Sequence, residues 1–207
     1  MKSDNRDPLM NDTLQSIHTR RSIRVFMKDE VSDDQIAVLL QAANEAPSAH
    51  NQQSWRFIVL RGLKKQALAD LVAVRSEGLP RPASALLRMA ARSIASAPVV
   101  IAVANTGDLI EHGTDLFKVN KEIAYDFFRT MEIQSSAAAV ENLLLAATSL
   151  GLSTVWLGIL FLIKDEVLRF LEEPAGEFMA VVPVGYASRL SAGPQKQPFD
   201  AKVKYFY

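Results

Sequence analysis

Hydrophobic residues recur at helical spacing along much of this chain. In the clearest case, four of them return every three or four positions: Ile36, Leu39, Leu40 and Ala43. This period places them on one face of a helix, which we expect to be buried. Ser32 and Gln35 form a capping box at the start of the stripe, and Val31 and Ile36 form a hydrophobic staple around it. The pattern predicts a helix that begins after Ser32 and ends before Pro47.

The same spacing predicts further helices, and continuous apolar runs between them predict strands. Beyond a short helix through Leu14 and Ile17, helices are expected at 64–75, 82–95, 135–150 and 165–171. Strands are expected at 55–60, 99–104, 154–159 and 179–184, with a last one at 203–207. The run 99–104 is apolar throughout, which is typical of a strand covered on both faces. Residues 107–133 have mixed polarity and predict no clear element.

Helices and strands therefore alternate, with the helices more numerous, which predicts an α+β fold. The 207 residues fit one domain, 1–207, since they contain no repeat, low-complexity tract or linker. Residues 1–12 are expected to form a flexible tail. The helix at 135–150 is apolar nearly all round, apart from Glu141, Asn142 and small hydroxyl residues. It must be covered, either as the core helix or at a subunit interface.

Charge and composition argue against several classes of function. Basic and acidic residues both number 23, so the chain has no overall field that would hold nucleic acid or an anionic membrane. Cysteine is absent, which excludes disulfides, thiol nucleophiles and thiolate metal sites and fits the reducing cytoplasm, where we expect this protein. The histidines show no metal-ligand spacing, so no metal is expected. No apolar run is long enough to cross a membrane.

Two segments combine residue types suited to a polar ligand. The run 20–24 (RRSIR) contains three guanidinium groups and a hydroxyl, which suit a phosphate because arginine is permanently charged and forks onto phosphate oxygens. It could equally be a solvated helix end. The loop 46–55 (APSAHNQQSW) offers the Ser48 hydroxyl, the Asn51 amide and backbone N–H groups to a planar ligand with polar edges. It could equally be an ordinary connection between a helix and a strand.

A third segment, 151–158 (GLSTVWLG), is followed by 182–186 (VPVGY). Gly158 would let a ligand ring approach the backbone closely, unless it only ends a strand beside a packed Trp156. Neither a G-x-G-x-x-G nor a P-loop motif is present, so the chain has no dinucleotide-binding or P-loop fingerprint.

Taken in this order, the segments resemble those of the FMN-dependent nitroreductase family. Its members share an RRSxR-like start, an APSxxNxQxW-like loop, a GL-containing passage from helix to strand and a VVPxGY-like strand. The resemblance runs from about Ile17 to Tyr186. It implies a nitroreductase-like α+β fold with a central, mostly antiparallel sheet flanked by helices, in an intertwined homodimer. Residues 107–133 would form a variable, lid-like segment, and the extension 187–207 would pack on the partner subunit.

The resemblance also implies roles for individual residues. Four match positions that hold the phosphate, ribityl chain and pyrimidine edge of FMN: Arg20, Arg21, Ser22 and Arg24. Four match the loop that reaches the flavin from the partner subunit: Pro47, Ser48, Ala49 and Asn51. Leu157 and Gly158 match the backbone along the isoalloxazine ring, and Lys196 is the expected C-terminal contact to the phosphate. A second cation expected just before Lys196 is replaced by Pro194.

The implied activity is that of an NAD(P)H-dependent FMN oxidoreductase. In a ping-pong cycle, NADH or NADPH delivers hydride to the flavin and leaves, and a nitroaromatic, quinone or similar acceptor then takes the electrons. The cofactor supplies the chemistry, so no catalytic side chain is expected. The alternatives are a flavin-binding carrier, a protein that processes reduced flavin without nitroreductase turnover, and a helical dimer without flavin. Tyr125, Phe127 and Phe128 are either a lid or core packing, and Arg129 is a candidate contact for an anionic substrate.

Overall fold

The computed structural model describes residues 10–118, 120–173, 175–189 and 192–206. The strands are β1 (Trp55–Arg61), β2 (Val99–Asn105), β3 (Ser153–Thr154) and β4 (Glu177–Gly185). The α-helices are α1 (Asp12–Thr19), α2 (Asp33–Asn44), α3 (Gly62–Ser76), α4 (Arg81–Ser96), α5 (Asp108–Phe117), α6 (Lys121–Ser149) and α7 (Lys164–Phe170). Short 3-10 helices lie at Ala49–Asn51, Gly158–Ile163 and Asp200–Lys202.

The strands form one antiparallel sheet in the order β1-β2-β4-β3. Helices α2 and α6 pack on one face, and α3, α4 and α7 pack on the other. Alternate residues of β2 enter these two cores, so Ile101 lies with α6 and Ala102 with α4. Every residue of β2 is buried, as the apolar run predicted. The expected α+β fold, an antiparallel sheet flanked by helices, is confirmed.

Helix α2 confirms its sequence pattern in detail. The Ser32 hydroxyl accepts from the Gln35 backbone N–H and the Gln35 side chain accepts from the Ser32 N–H, both at 3.1 Å. Val31 and Ile36 are both buried in the same core. Helix α1 lies where Leu14 and Ile17 predicted it, but both of these residues are exposed. Residues 1–9 of the expected tail lie outside the described residues, and Asp12 already begins α1.

The strand expected at 154–159 is wrong over most of its length. Only Ser153–Thr154 form a strand, and Gly158 begins a 3-10 helix. The antiparallel register continues as far as Leu157, whose N–H donates to the Val181 carbonyl at 2.9 Å. Between these points the register places Pro183 opposite Val155. Because proline has no N–H to donate, the ladder is interrupted there.

Two other expectations from the sequence are corrected. Residues 107–133 contain α5 and the first half of α6, which begins at Lys121 and not at 135. Their mixed polarity arises because the apolar contact of this half of α6 with α5 is a small cluster of Leu109, Ala124 and Phe128, whereas Arg129 and Glu132 make polar contacts. The last strand expected at 203–207 is absent among the described residues, which end at 206. Residues 200–206 are all exposed, so their aromatic side chains find no core in their own chain.

Candidate functional site

The basic run 20–24 lies on an extended segment beside the sheet. The Ile23 N–H donates to the Thr154 carbonyl at 2.9 Å, next to a parallel bridge between Ser22 and Thr154. Ile23 is buried in the core, whereas Ser22 and Arg24 are exposed. Side chains of extended backbone alternate between two sides. Arg20, Ser22 and Arg24 therefore share the side that faces away from Ile23.

The three arginines of this run differ in how firmly they are held. Arg21 donates to the carbonyls of Ala192, His18 and Arg20 at 2.7–2.8 Å. Arg20 lies 3.9 Å from Glu141, and Arg24 donates to the Ser22 carbonyl over a long 3.4 Å. The guanidinium groups of Arg20 and Arg24 are therefore loosely held, whereas that of Arg21 is engaged by its own chain.

The contact between Arg21 and Ala192 brings the C-terminal segment beside the basic run. Gly193 has a φ of +75°, and a Cβ there would lie 2.8 Å from the Arg21 Cδ, so this close approach requires glycine. Lys196 follows three residues later and is exposed. A groove of about 380 Å³ runs beside the segment and is lined by Thr19, Arg21, Ile23, Thr148, Gly151, Leu152 and Ser153.

Gly158 presents an open stretch of backbone at the edge of the sheet. It is exposed, and a Cβ placed there would have only Trp156 within 4 Å, at 3.9 Å. Leu157 is buried, so only its backbone can meet a ligand. In the parallel bridge between Ser22 and Thr154, Arg24 follows Ser22 in the direction in which Trp156 follows Thr154. The basic run and the Gly158 backbone therefore lie along the same edge.

The loop 47–54 is shaped by its own polar side chains. His50, Asn51 and Gln53 all have a φ of +53°, a left-handed conformation that is uncommon outside glycine and is best tolerated by residues such as asparagine. The Ser48 hydroxyl accepts from the Gln53 N–H at 3.1 Å, and the Asn51 side chain accepts from that of Gln53 at 3.0 Å. Pro47 and Asn51 are exposed. These contacts hold the loop in a conformation that its backbone alone would not favour.

Helix α6 ties this loop to the body of the protein. The Ala49 N–H donates to the Ser135 hydroxyl at 3.1 Å. One turn earlier, the buried Glu132 accepts from the Leu109 N–H at 2.9 Å, at the start of α5. Neither α6 residue was predicted as functional. The signal was their helical spacing with the buried Phe128 and Ala139, which places a carboxyl and a hydroxyl on an otherwise apolar stripe.

Within one chain, the loop and the basic run do not meet. The basic run adjoins Thr154, which pairs with Val184, and Val184 pairs with Val99 at the start of β2. The loop leads into Trp55, which pairs with Asn105 at the end of β2. These two ends of β2 are about 20 Å apart at about 3.3 Å per residue. The structure thus places the basic run and Gly158 along the same edge of the sheet but leaves the loop at the far end.

A second cavity, of about 860 Å³, lies at that far end. It is lined by residues of α5, α6, α7 and the start of β4, among them Tyr125, Arg129, Glu132 and Glu177. Arg129 forms an ion pair with Glu177, and this hydrogen bond raises the pKa of Arg129. Burial raises the pKa of Glu132, against the lowering effect of the Leu109 N–H. The cavity is therefore polar and contains a buried carboxyl group.

Of the aromatic residues expected to form either a lid or core packing, Phe128 is in the core and the other two are exposed. Phe128 is 1% exposed, whereas Tyr125 and Phe127 are 54% and 50% exposed. His50 is exposed and meets the Phe117 ring edge-on, with 5.9 Å between centroids. Over the described ranges, no group of three metal-binding side chains is found. No helix there is long and apolar enough to span a membrane.

Comparison with known proteins agrees with this fold. The model of the nitroreductase family matches residues 17–186. A protein of Archaeoglobus fulgidus named "Putative NADH dehydrogenase/NAD(P)H nitroreductase" is 32% identical over 182 residues, 86% of each chain. The 5,6-dimethylbenzimidazole synthase of Rhodospirillum rubrum is 28% identical and covers 87% of this chain and 84% of its own.

A solved structure agrees as well. The FMN complex of a nitroreductase-like protein from Desulfovibrio desulfuricans superposes with a TM-score of 0.71 at 27% identity. The match covers 96% of this chain and 98% of that chain. The family model spans most of the sequence, and the first of the relatives above exceeds 30% identity over most of its length. The chain therefore belongs to the nitroreductase family of oxidoreductases.

Proposed function

We propose that this chain is an FMN-dependent NAD(P)H oxidoreductase that acts as a homodimer. The observation that carries the proposal is that Ser22, between Arg20 and Arg24, pairs with Thr154 on the edge of the sheet that leads to the open backbone of Gly158. The Desulfovibrio relative in complex with FMN supports the cofactor. The name of the Archaeoglobus relative supports a nicotinamide donor.

The residues of the basic run fit the phosphate end of FMN. Arg20 and Arg24 are permanently charged and loosely held, so they can turn onto an anion at little cost. The exposed Ser22 hydroxyl adds a donor between them. Lys196 lies on the segment that Arg21 holds beside this run. We therefore assign Arg21 to positioning that segment, and Lys196 and Arg20 to the phosphate, which leaves Arg24 for the ring.

The ring end of the site would lie along Leu157 and Gly158. An exposed glycine without close neighbours lets a flat ring approach the backbone. FMN, when bound, supplies the two-electron exchange between a nicotinamide donor and an acceptor. The part of the protein is electrostatic, since Arg24 can stabilise negative charge at the ring edge nearest to it. No side chain is assigned as an acid or base.

The remaining part of the site would come from a partner subunit. In one chain, the loop that contains Pro47, Ser48, Ala49 and Asn51 leads to one end of β2 and the basic run adjoins the other, and these two ends of β2 are about 20 Å apart at about 3.3 Å per residue. A second copy can bring its loop to this edge. Several large apolar side chains are also exposed to solvent in the single chain: Ile123 is 67%, Phe199 69% and Phe206 83% exposed. Such exposure is typical of an interface, and the extension 187–207 and the lid-like segment 107–133 would lie there.

The test is an absorption spectrum of the purified protein with FMN, recorded anaerobically after addition of NADH and then NADPH. We expect a bound flavin that bleaches with one donor and recovers when a nitroaromatic or quinone is added. A bound flavin that neither donor reduces would favour the alternative, a flavin carrier or a protein that processes reduced flavin. A protein that takes up no FMN would overturn the proposal.

A further inference from the structure

Glu132 is a buried carboxyl that the proposed FMN contacts do not use. It is 1% exposed. Its Oε1 atom accepts from the Leu109 N–H at 2.9 Å, while its Oε2 atom has no hydrogen-bond partner among the described residues. A buried polar group is costly unless it is hydrogen-bonded. The groups that contact the Glu132 carboxyl are therefore the ones whose positions it can fix.

The surroundings of Glu132 connect α5, α6 and the loop 47–54. The buried Ser54 hydroxyl faces the same carboxyl and lowers its pKa. Ser135, one turn further along α6, accepts from the Ala49 N–H. A narrow space between these groups is lined by Ser48, Ala49, Gln52, Gln53, Ser54, Leu109, Glu132 and Ser135. One turn of α6 thus contacts both ends of the loop and the first turn of α5.

We infer that Glu132 is a positioning residue of the FMN site, which fixes the loop 47–54 between α5 and α6 in the shape that meets the flavin. This inference rests on the proposed function, in which the loop contacts FMN bound to the partner subunit. Its contact to Leu109 holds the start of α5. The Glu132 carboxyl lies beside Ser54 at the end of the loop, while Ser135 holds Ala49 near its beginning.

Burial favours the neutral form of the Glu132 carboxyl, which suits this role. Burial and the nearby Asp108 raise the pKa of Glu132, while the Leu109 N–H and the Ser54 hydroxyl lower it. Other charged groups around the adjoining cavity are Glu111 on α5, Arg129 on α6, Lys164, Asp165 and Arg169 on α7, and Glu177 on β4. A neutral carboxyl can both accept from Leu109 and donate through its other oxygen. Glutamine has the same shape and the same two capacities.

The experiment compares hydrogen exchange and FMN affinity in wild type, Glu132→Gln and Glu132→Leu. For Glu132→Leu we expect exchange at residues 48–54 and 107–112 to rise at least about tenfold, with β2 and β4 unchanged, and FMN to bind about tenfold more weakly, equivalent to about 1.4 kcal/mol. Glu132→Gln should keep both properties within about twofold of wild type, because it preserves both hydrogen-bonding capacities. Glu77→Gln, at an exposed position beyond α3, is the matched control.

Unchanged exchange at 48–54 in Glu132→Leu would overturn the inference. So would an equal rise throughout β2 and β4, because that pattern indicates global loosening. If Glu132→Leu does not fold, Glu132→Asp keeps the carboxyl but shortens its reach to Leu109, and the same outcomes apply. If wild type binds no FMN, the proposed function fails, and hydrogen exchange alone decides whether Glu132 positions the loop.

Discussion

The basic run 20–24 and the loop 47–54 are both irregular segments, but different contacts hold them. Backbone hydrogen bonds attach the run to the sheet, from Ile23 to Thr154 and from Met27 to Tyr186. The loop has backbone hydrogen bonds within its own turn and one from Thr106 to Ser54 at its end. Unlike the attachment of the run to the sheet, the shape of the loop also depends on side chains, its own Ser48 and Asn51 and, from α6, Ser135.

The difference decides what a substitution changes in each segment. In the run, backbone contacts survive any side-chain replacement, so Arg20 and Arg24 can be altered without moving the segment. In the loop, side chains help to define the shape of the backbone. Their replacement therefore changes the conformation of the loop as well as the groups that it offers to a ligand. The comparison therefore separates residues that bind from residues that position.

The largest effect is expected for Arg20→Ala. Loss of a charge-assisted hydrogen bond to phosphate costs about 1.5–3 kcal/mol, so FMN should bind about ten- to a hundredfold more weakly by fluorescence titration. Stability should change by less than about 0.5 kcal/mol, as for most surface substitutions. Arg81→Ala, at an exposed position of α4, is the control. Wild-type affinity in Arg20→Ala would show that the run does not bind the phosphate.

Gly158→Ala should come next. Among the described residues, apart from its two chain neighbours, the added methyl group would meet no atom closer than 3.9 Å, so the fold and its melting temperature should be unchanged. A ring that lies on this backbone would be held away, and we expect about tenfold weaker FMN binding, or about 1.4 kcal/mol. Gly78→Ala, also free of close contacts, should bind normally. Equal FMN affinity in both variants would show that the flavin ring does not lie on this edge.

Ser135→Ala tests the loop with a smaller expected effect. It leaves the Ala49 N–H without its acceptor, which costs about 1 kcal/mol or more for a group shielded from water. We expect faster hydrogen exchange at 48–54 and about fivefold weaker FMN binding. Ser149→Ala removes a similar hydroxyl contact at the exposed end of α6 and should change neither. If both variants behave alike, the loop is not held by α6.

The smallest effect is expected for Glu132→Gln, on the pH dependence of the free energy of unfolding. Because burial raises its pKa, the native state keeps the proton to higher pH than the unfolded chain. Its contribution is fully present below the ordinary glutamate pKa of about 4.3 and is lost as pH rises through the folded value. In denaturant titrations, the free energy of unfolding of Glu132→Gln should therefore rise relative to that of wild type as pH increases across this window. A parallel pH dependence in both proteins would contradict this.

The sequence predicted the fold well where one pattern determined one element. The capping box and apolar stripe located α2, and the uninterrupted apolar run located β2. Prediction failed at 154–159 because Pro183, which interrupts the ladder, lies far away in sequence and opposite Val155 only in the folded sheet. The first half of α6 was missed because its apolar cluster with α5 is small and it shows no wide apolar stripe.

The candidate site divides in the same way. The chemistry of Arg20, Ser22 and Arg24 can be read from their residue types, and the structure adds that they share one side of an extended segment. The hydrogen bond from Arg21 to the Ala192 carbonyl could not be predicted, because the two residues are 171 positions apart. Glu132 was overlooked because a single acidic residue in a helix is usually exposed, and only its packing shows otherwise.

The central claim is that each FMN site combines the basic run of one subunit with the loop of the other. The most direct measurement mixes two subunits with different tags, one carrying Arg20→Ala and Arg24→Ala and the other Ser48→Ala and Asn51→Ala. Each variant alone should bind FMN poorly. In the mixed dimer, one site receives all four substitutions and the other none, so we predict one FMN per dimer at wild-type affinity. A mixed dimer that binds no FMN would contradict the account, because both halves would then come from the same chain.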